Sequence, residues 1–301
     1  MKIWLLLLLP LAGMADPQGD VVFRSGVSLV RVDAEAVDAG GRVVAGLTKD
    51  DLRVLDEGVP QIPGNFSFDE EPLDLILLFD TSGGMHNRLL NMVRATELGF
   101  HELHSSDRVS VRAFAENSTE VLPFTGNLRT VNEAILIQVF TLKFRGKSRL
   151  EEAAAEAARR FLSEPDTRRK RAILIVTDKP GARGANEMSV VRDLWHADAV
   201  VSELIVDNTA QTKLLAAGGN AIVDETGGAT IVAGNPGEAF QEAVHYLRSG
   251  YTLYYALPEA APGSERRVRV ELTPEAAGRL PDVRIRARSG YVVPGASRQA
   301  Q

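Results

Sequence analysis

One stretch of this chain, LDLILLFDTSGG at residues 73–84, limits the possible folds more than any other. The continuous apolar run from Leu75 to Phe79 is short and ends abruptly at Asp80, which is typical of a strand buried on both faces. Beyond it, one loop holds a carboxylate, two hydroxyls and two glycines. In open α/β sheets, ligands bind beyond the carboxyl ends of the strands. The sequence therefore predicts an α/β sheet with a candidate binding site directly after this strand.

Strand and helix candidates alternate throughout residues 72–250. The strand candidates are Leu73–Asp80, Arg108–Ala115, Glu120–Phe124, Ala172–Asp178, Val201–Val206 and Ala229–Val232. The helix candidates are Arg88–His104, Leu128–Gln138, Arg149–Leu162, Glu187–Ala197, Thr212–Ala217 and Gly237–Leu247. This alternation predicts an α/β fold with a Rossmann-like, doubly wound, mostly parallel sheet that is covered by helices on both faces.

The two flanks of this α/β block, residues 16–71 and 251–294, are rich in short strand signals. Each flank alone has too few strands to bury a sheet face securely. We therefore expect them to join into one small β-sandwich with the α/β domain inserted, the alternative being two independent β modules. The polar tail at residues 295–301 is expected to be flexible.

The first 15 residues have the pattern of a secretory signal peptide. Lys2 precedes an apolar run from Ile3 to Leu11, and small residues lead to a cleavage site before Asp16. A buried helix is the alternative. The chain has no cysteine, which excludes disulfides and a lipid-anchored lipoprotein. We expect an exported protein, periplasmic or secreted and soluble after processing, and the net charge of -6 argues against nucleic-acid binding.

Three segments are predicted to meet above the carboxyl ends of the sheet: residues 80–84, residues 146–148 and residues 177–178. Asp80, Ser82, Ser148 and Asp178 would then supply carboxylate and hydroxyl oxygens, the ligands that Mg²⁺ prefers. A site with few direct charges would leave a coordination position for a carboxylate of a partner protein.

These residues resemble the von Willebrand factor type A domain, which carries an Asp-x-Ser-x-Ser loop, a later Thr and a later Asp. By this resemblance, Asp80 and Ser82 match the loop, Ser148 in GKSRLEEA stands at the Thr position, and Asp178 in ILIVTD matches the later Asp. The resemblance implies a metal-ion-dependent adhesion site that binds a protein partner and no catalytic residues. Thr81, Gly83, Gly84, His86 and Lys147 would form the partner-binding rim.

The flanks resemble those of exported bacterial, notably acidobacterial, proteins related to this family. The similar segments are VDAEAVDAGGRVVAGLTKDDLRVLDEGVPQ before the domain and GYTLYYAL and VRIRARSGYVVP after it.

The loop departs from the family pattern at Gly84, where the family has its second Ser. The change removes one oxygen ligand, so two hypotheses stay open. Either Mg²⁺ still binds, with water in the gap, or the site is vestigial and the protein is a scaffold that contacts partners through its β module. In the second case Asp80 and Asp178 would accept backbone N–H bonds and cap the following helices.

Two further patterns have competing interpretations. Gly146, Lys147 and Ser148 also resemble the end of a phosphate-binding loop, which would make the chain a nucleotide hydrolase, but Thr141 stands where that loop needs Gly. A stripe of arginines in the late strands could bind acidic polymers or a membrane surface, but the favoured interpretation is the solvated face of a sandwich. Its members are Arg266, Arg267, Arg269, Arg284, Arg286 and Arg288.

The predicted signal peptide can be tested by expressing the full chain in a bacterium and purifying the exported protein. The purified exported protein should begin at Asp16, which intact-mass measurement would show. Leu6→Arg combined with Leu8→Arg should block removal of the segment, because charge interrupts the apolar run that the export machinery reads. Recovery of exported protein that still begins at Met1 would contradict the prediction.

Overall fold

The structure, a computed structural model, describes residues 28–85, 88, 96–139, 141–142, 145–164, 169–181, 187–207 and 209–295. Outside these ranges lie the predicted signal peptide at residues 1–15, His86, residues 89–95 of the predicted helix Arg88–His104 and the tail beyond residue 295.

The described strands fall into three sheets. They are β1 (Leu29–Val37), β2 (Leu52–Asp56), β3 (Val59–Gln61), β4 (Asn65–Phe68), β5 (Leu73–Asp80), β6 (Arg108–Phe114), β7 (Ser118–Thr125), β8 (Lys170–Thr177), β9 (Ala199–Ile205), β10 (Thr230–Val232), β11 (Tyr251–Ala256), β12 (Glu265–Leu272), β13 (Arg284–Ala287) and β14 (Gly290–Val292). The described α-helices are α1 (Thr96–Phe100), α2 (Leu128–Glu133), α3 (Leu150–Leu162), α4 (Glu187–His196), α5 (Ala210–Ala216), α6 (Ala221–Thr226), α7 (Pro236–Arg248) and α8 (Pro274–Arg279). A 3₁₀ turn at Lys49–Asp51 and a π-helix at Ala134–Val139 complete the set.

The central sheet has the strand order β10-β9-β8-β5-β6-β7. The strands are parallel except for β7, which pairs antiparallel with β6 at one edge. All eight residues of β5 are buried, and Leu77 lies between Val111 on β6 and Leu174 on β8. The predicted mostly parallel sheet is confirmed.

Helices cover this sheet on both faces. Successive side chains of β5 point to opposite sides of the sheet, so they enter two different cores. Leu75, Leu77 and Phe79 belong to a core that includes Phe240 of α7. Ile76 and Leu78 face the second core, which includes the alanines of α3. The alanine-rich sequence of α3 fits this position, since small side chains let a helix approach a sheet closely.

The two flanks join into one β-sandwich. One sheet has the order β13-β1-β11-β4 and the other β14-β12-β2-β3, so each sheet combines strands from before and after the α/β block. Side chains from both sheets, such as Val32, Val54, Leu253 and Val270, share one hydrophobic core. The prediction of a joined sandwich is therefore confirmed.

The sandwich contacts the α/β domain at the amino ends of the parallel strands, through buried charged groups. Nζ of Lys170, at the start of β8, lies 3.2 Å from Oε1 of Glu35 in β1 and donates to the carbonyl of Ser249 at 2.6 Å. Arg288 pairs with Asp198, just before β9. This contact leaves the carboxyl ends of the strands at the far edge of the sheet.

The expected solvated stripe of arginines is wrong for two of its members. Arg288 is buried in this contact, and Arg266 pairs with the buried Asp56 at 2.8 Å. Alternation along a strand does not distinguish a face that meets solvent from one that meets another domain. Arg269 and Arg284 are exposed, as the pattern predicts.

The two short helices α6 and α8 were not predicted from the sequence. The described helices α6 and α8 each have six residues, and the side chains of Asn220 and Thr273 cap their first turns. Helices this short depend on capping and packing more than on a periodic pattern. Among the described residues, no helix has the length and apolar character needed to cross a membrane.

A glycine next to β9 provides a test of the packing between α6 and the sheet. A Cβ at Gly228 would lie 1.8 Å from the backbone carbonyl oxygen of Val201, so the backbone would have to move. Gly228→Ala should therefore lower the free energy of unfolding by about 2 kcal/mol or more. Gly234→Ala is the matched control, because a Cβ there meets no atom within 4 Å. Denaturant unfolding would compare the two, and equal stability of the variants would contradict this packing.

Candidate functional site

The loop after β5 is fixed to both neighbouring strands. Asp80 is fully buried; its Oδ1 accepts the backbone N–H of Ser82 and its Oδ2 accepts the hydroxyl of Thr177, each at 2.8 Å. The backbone N–H and the hydroxyl of Thr81 both donate to the carbonyl of Phe114 on β6, at 2.7 and 3.0 Å. The two neighbouring strands, β6 and β8, therefore hold the loop in place.

The loop that carries Ser148 lies beside this first loop. The backbone N–H of Arg145 donates to the carbonyl of Thr81 at 3.1 Å, and that of Arg149 donates to the carbonyl of Ala115 at 3.0 Å. Ser148 is exposed between these two attachments. The first two of the three segments are therefore neighbours, whereas a common site that includes Ser148 stays a prediction.

The third segment follows β8, where Asp178 is 2% exposed. Its Oδ2 lies 2.6 Å from Nη1 of Arg88, and Nη2 of Arg88 lies 3.7 Å from Oδ2 of Asp207, just beyond β9. A Cβ at Gly84 would lie 2.5 Å from the same Oδ2 of Asp178. Asp178, Gly84 and Arg88 therefore meet at one point. We refer to residues 80–85, Arg88, residues 145–149 and residues 178–181 together as the loop edge.

As they are arranged, these residues do not fit a divalent cation. The carboxylate oxygen of Asp178 that would face the ion already contacts a guanidinium, and a second cation there would be repelled. Gly84 offers no hydroxyl. Among the described residues, no group of three or more His, Asp or Glu side chains is placed to hold a metal ion. Mg²⁺ binding through Asp80, Ser82, Ser148 and Asp178 stays a prediction, and it would require Arg88 to move.

A buried carboxyl group in β9 is hydrogen-bonded to the third segment of the loop edge. Glu203 in β9 accepts the backbone N–H of Gly181 at 2.8 Å and the side-chain amide of Asn220 at 3.5 Å. Burial raises the pKa of the Glu203 carboxyl to about 7, although both hydrogen bonds act in the opposite direction. The segment after Asp178 is therefore held by an internal polar group.

Sequence reasoning missed Arg88, Asp207 and Glu203. Asp207 follows the end of β9 as Asp178 follows that of β8, so the rule that found Asp178 could have found it. Burial acts against the charged form of Asp207, but the hydrogen bond from Thr212 and the charge of Arg88 lower its pKa below the ordinary value. No local pattern points to Arg88, whose partner Asp178 lies 90 residues away along the chain.

Large apolar side chains are exposed on α5 and on the π-helix. Leu214 and Leu215 of α5 are 76% and 57% exposed, and α5 begins just beyond Asp207. In the π-helix that leads toward the loop at residues 145–149, Ile137 is 62% exposed and Leu136 is 44% exposed. π-helical turns occur frequently at functional sites.

Comparison with known proteins supports the family resemblance. Residues 75–181 match the family model described as von Willebrand factor type A domain. Comparison with curated protein sequences gives no significant match.

Several of the solved structures that resemble this one are described by name. An aerotolerance-related membrane protein from Bacteroides fragilis is 18% identical with a TM-score of 0.48, over 58% of this chain and 98% of that one. The conserved hypothetical protein BatB from Bacteroides thetaiotaomicron is 17% identical with a TM-score of 0.46, over 58% and 97%. A von Willebrand factor type A protein from Catenulispora acidiphila is 13% identical with a TM-score of 0.46, over 92% and 77%.

The buried Glu203 predicts a pH dependence of stability. Its pKa in the folded chain, about 7, lies above its ordinary value of 4.5, so the folded state holds the proton more tightly. This contribution to the free energy of unfolding is fully present below pH 4.5 and is lost as the pH rises to about 7. The loss amounts to roughly 3 kcal/mol.

Glu203→Gln should remove this dependence while keeping an acceptor for Gly181. Unfolding of the variant between pH 4.5 and 8 should change less steeply than that of the unaltered protein. Glu259→Gln, at an exposed position, is the control and should leave the slope as it is. Identical slopes for all three proteins would contradict the assignment.

Proposed function

Because the chain carries a von Willebrand factor type A domain at residues 75–181, we propose that it is a non-catalytic protein-interaction module whose partner contacts the loop edge. The protein acts in this proposal after export, once the N-terminal segment has been removed. The contact is direct in this proposal, without a bridging Mg²⁺, since Asp178, one of the predicted ligands, already pairs with Arg88.

The observation that carries this proposal is the fixed shape of the loop edge. Asp80, Thr81 and the backbone N–H of Arg145 bond the first two loops to each other and to buried strands, and Arg88 pairs with Asp178 of the third loop. A surface that is already ordered loses little conformational entropy when a partner binds. Ser148 and Lys179 are exposed on it, and binding residues are often found on loops that a rigid scaffold positions.

The exposed apolar side chains favour a protein as the partner. Leu214 and Leu215 are exposed on α5, whose Thr212 donates to Asp207, the second carboxylate near Arg88. Neighbouring exposed apolar residues with a polar surround are typical of protein-binding surfaces. The exposed Ile137 and Leu136 precede the second loop in the chain.

The geometry gives little support to the phosphate-binding alternative. In such a loop, backbone N–H groups point at the phosphates. Here the N–H groups of Arg145 and Arg149 donate to the carbonyls of Thr81 and Ala115 instead. Lys147 is exposed on the loop, where it could contact a partner as a rim residue.

Affinity capture with matched variants would test the proposal. The unaltered protein would be used as bait in an envelope extract, with and without EDTA, and the enriched proteins would be quantified by mass spectrometry. Leu214→Asp combined with Leu215→Asp should reduce enrichment of the partner by at least about tenfold, because charge replaces buried apolar contact. Ile62→Asp is the control, since Ile62 is 89% exposed on the sandwich.

The outcomes separate the loop edge from the β module. A partner that is lost with the α5 variant, kept with Ile62→Asp and unaffected by EDTA supports the proposal. A partner lost with Ile62→Asp and kept with the α5 variant would place the contact on the sandwich, and a partner lost on chelation would show that a metal bridges the contact.

A further inference from the structure

Asp178 has its own counter-ion within the chain. The carboxylate is almost fully buried at the end of a central strand, where an unpaired charge would be strongly unfavourable. Nη1 of Arg88 lies 2.6 Å from its Oδ2, within the range of a charge-assisted hydrogen bond. Nη2 of the same guanidinium lies 3.7 Å from Asp207, so Arg88 also connects the ends of two adjacent strands.

Gly84 is part of this arrangement. A Cβ at position 84 would lie 2.5 Å from Oδ2 of Asp178, the atom that Arg88 contacts. A serine there would therefore push the carboxylate away from the guanidinium. The missing hydroxyl and the ion pair are thus linked, because the glycine leaves the space in which Asp178 meets Arg88.

From this linkage we propose that the guanidinium of Arg88 is the permanent cation of the loop edge and takes the place of a divalent metal ion. Asp80 needs no metal either, because the backbone N–H of Ser82 and the hydroxyl of Thr177 satisfy its two oxygens. Gly84 and Arg88 together convert a metal-dependent type of surface into one that is complete in the polypeptide alone.

The proposal also indicates the chemistry that a partner would present. The side chain of Arg88 is 40% exposed, and a guanidinium carries five N–H donors. Donors not used by Asp178 and Asp207 can bind an acceptor oxygen, such as a carboxylate, of a protein partner. This last step rests on the proposed function, whereas the exclusion of metal does not.

Metal titration of variants would test the proposal without any partner, so it and the proposed function can fail separately. Isothermal titration calorimetry with Mg²⁺ and Mn²⁺ should show no binding by the unaltered protein at about 1 mM metal, the weak end of protein cation sites. Arg88→Gln combined with Gly84→Ser should bind Mn²⁺ with a dissociation constant at least about tenfold below that 1 mM limit, because the competing charge is gone and the hydroxyl is restored.

Two control variants make this result specific. Arg145→Gln removes an exposed arginine from the neighbouring loop and should cause no gain in affinity. Adding Asp178→Asn to the double variant should abolish the gain. The proposal is overturned if the unaltered protein binds Mn²⁺ with an affinity that Arg88→Gln leaves unchanged, or if the folded double variant gains none.

Melting temperatures provide a second measurement that needs no metal. Gly84→Ser alone should lower the melting temperature, because the new Cβ disturbs the contact between Asp178 and Arg88. The loss should be much smaller in an Asp178→Asn background, as expected for coupled neighbours. Equal losses in both backgrounds would overturn the link between Gly84 and the ion pair, even if Arg88→Gln did not fold.

Discussion

Burial of β5 on both faces is the constraint on which the rest of this structure depends. Leu77 is paired with Val111 on one side and Leu174 on the other, and helices cover the sheet above and below. A strand in this position cannot shift by one residue without turning its side chains to the opposite core. Its register therefore fixes where Asp80 leaves the sheet and where the loop edge begins.

The polar contacts of the molecule are divided between the two ends of this sheet. At the amino ends, Lys170 and Glu35 connect the α/β domain to the sandwich. At the carboxyl ends, Asp80, Thr81 and Asp178 organise loops that no sandwich strand covers among the described residues. Breaking a buried pair such as Lys170 and Glu35 is costly, because one charge would remain unpaired. The sandwich is thus held at the end of the sheet opposite the proposed partner surface.

At the loop edge, the internal cation changes how the family resemblance should be interpreted. Asp80, Ser82 and Asp178 match the sequence pattern of a von Willebrand factor type A domain, and all three are buried. Both carboxylates nevertheless have partners within the chain. Asp80 accepts hydrogen bonds from Ser82 and Thr177, and Asp178 pairs with the guanidinium of Arg88. The residues that suggest a metal site in the sequence thus also have a structural explanation without a metal.

The sequence by itself determined the features that depend on neighbours in the chain. The apolar run at residues 73–80, the alternation of strands and helices and the loops that follow the strands are local patterns, so the fold class and the positions of Asp80, Ser82, Ser148 and Asp178 could be predicted from them. Only the tertiary structure decided the partners of these residues. Arg88 meets Asp178, and Glu203 supports Gly181, across separations that no periodic pattern encodes. Packing also decided that Gly84 provides space for an ion pair, because the loss of a side chain shows its effect only when the neighbouring atoms are known.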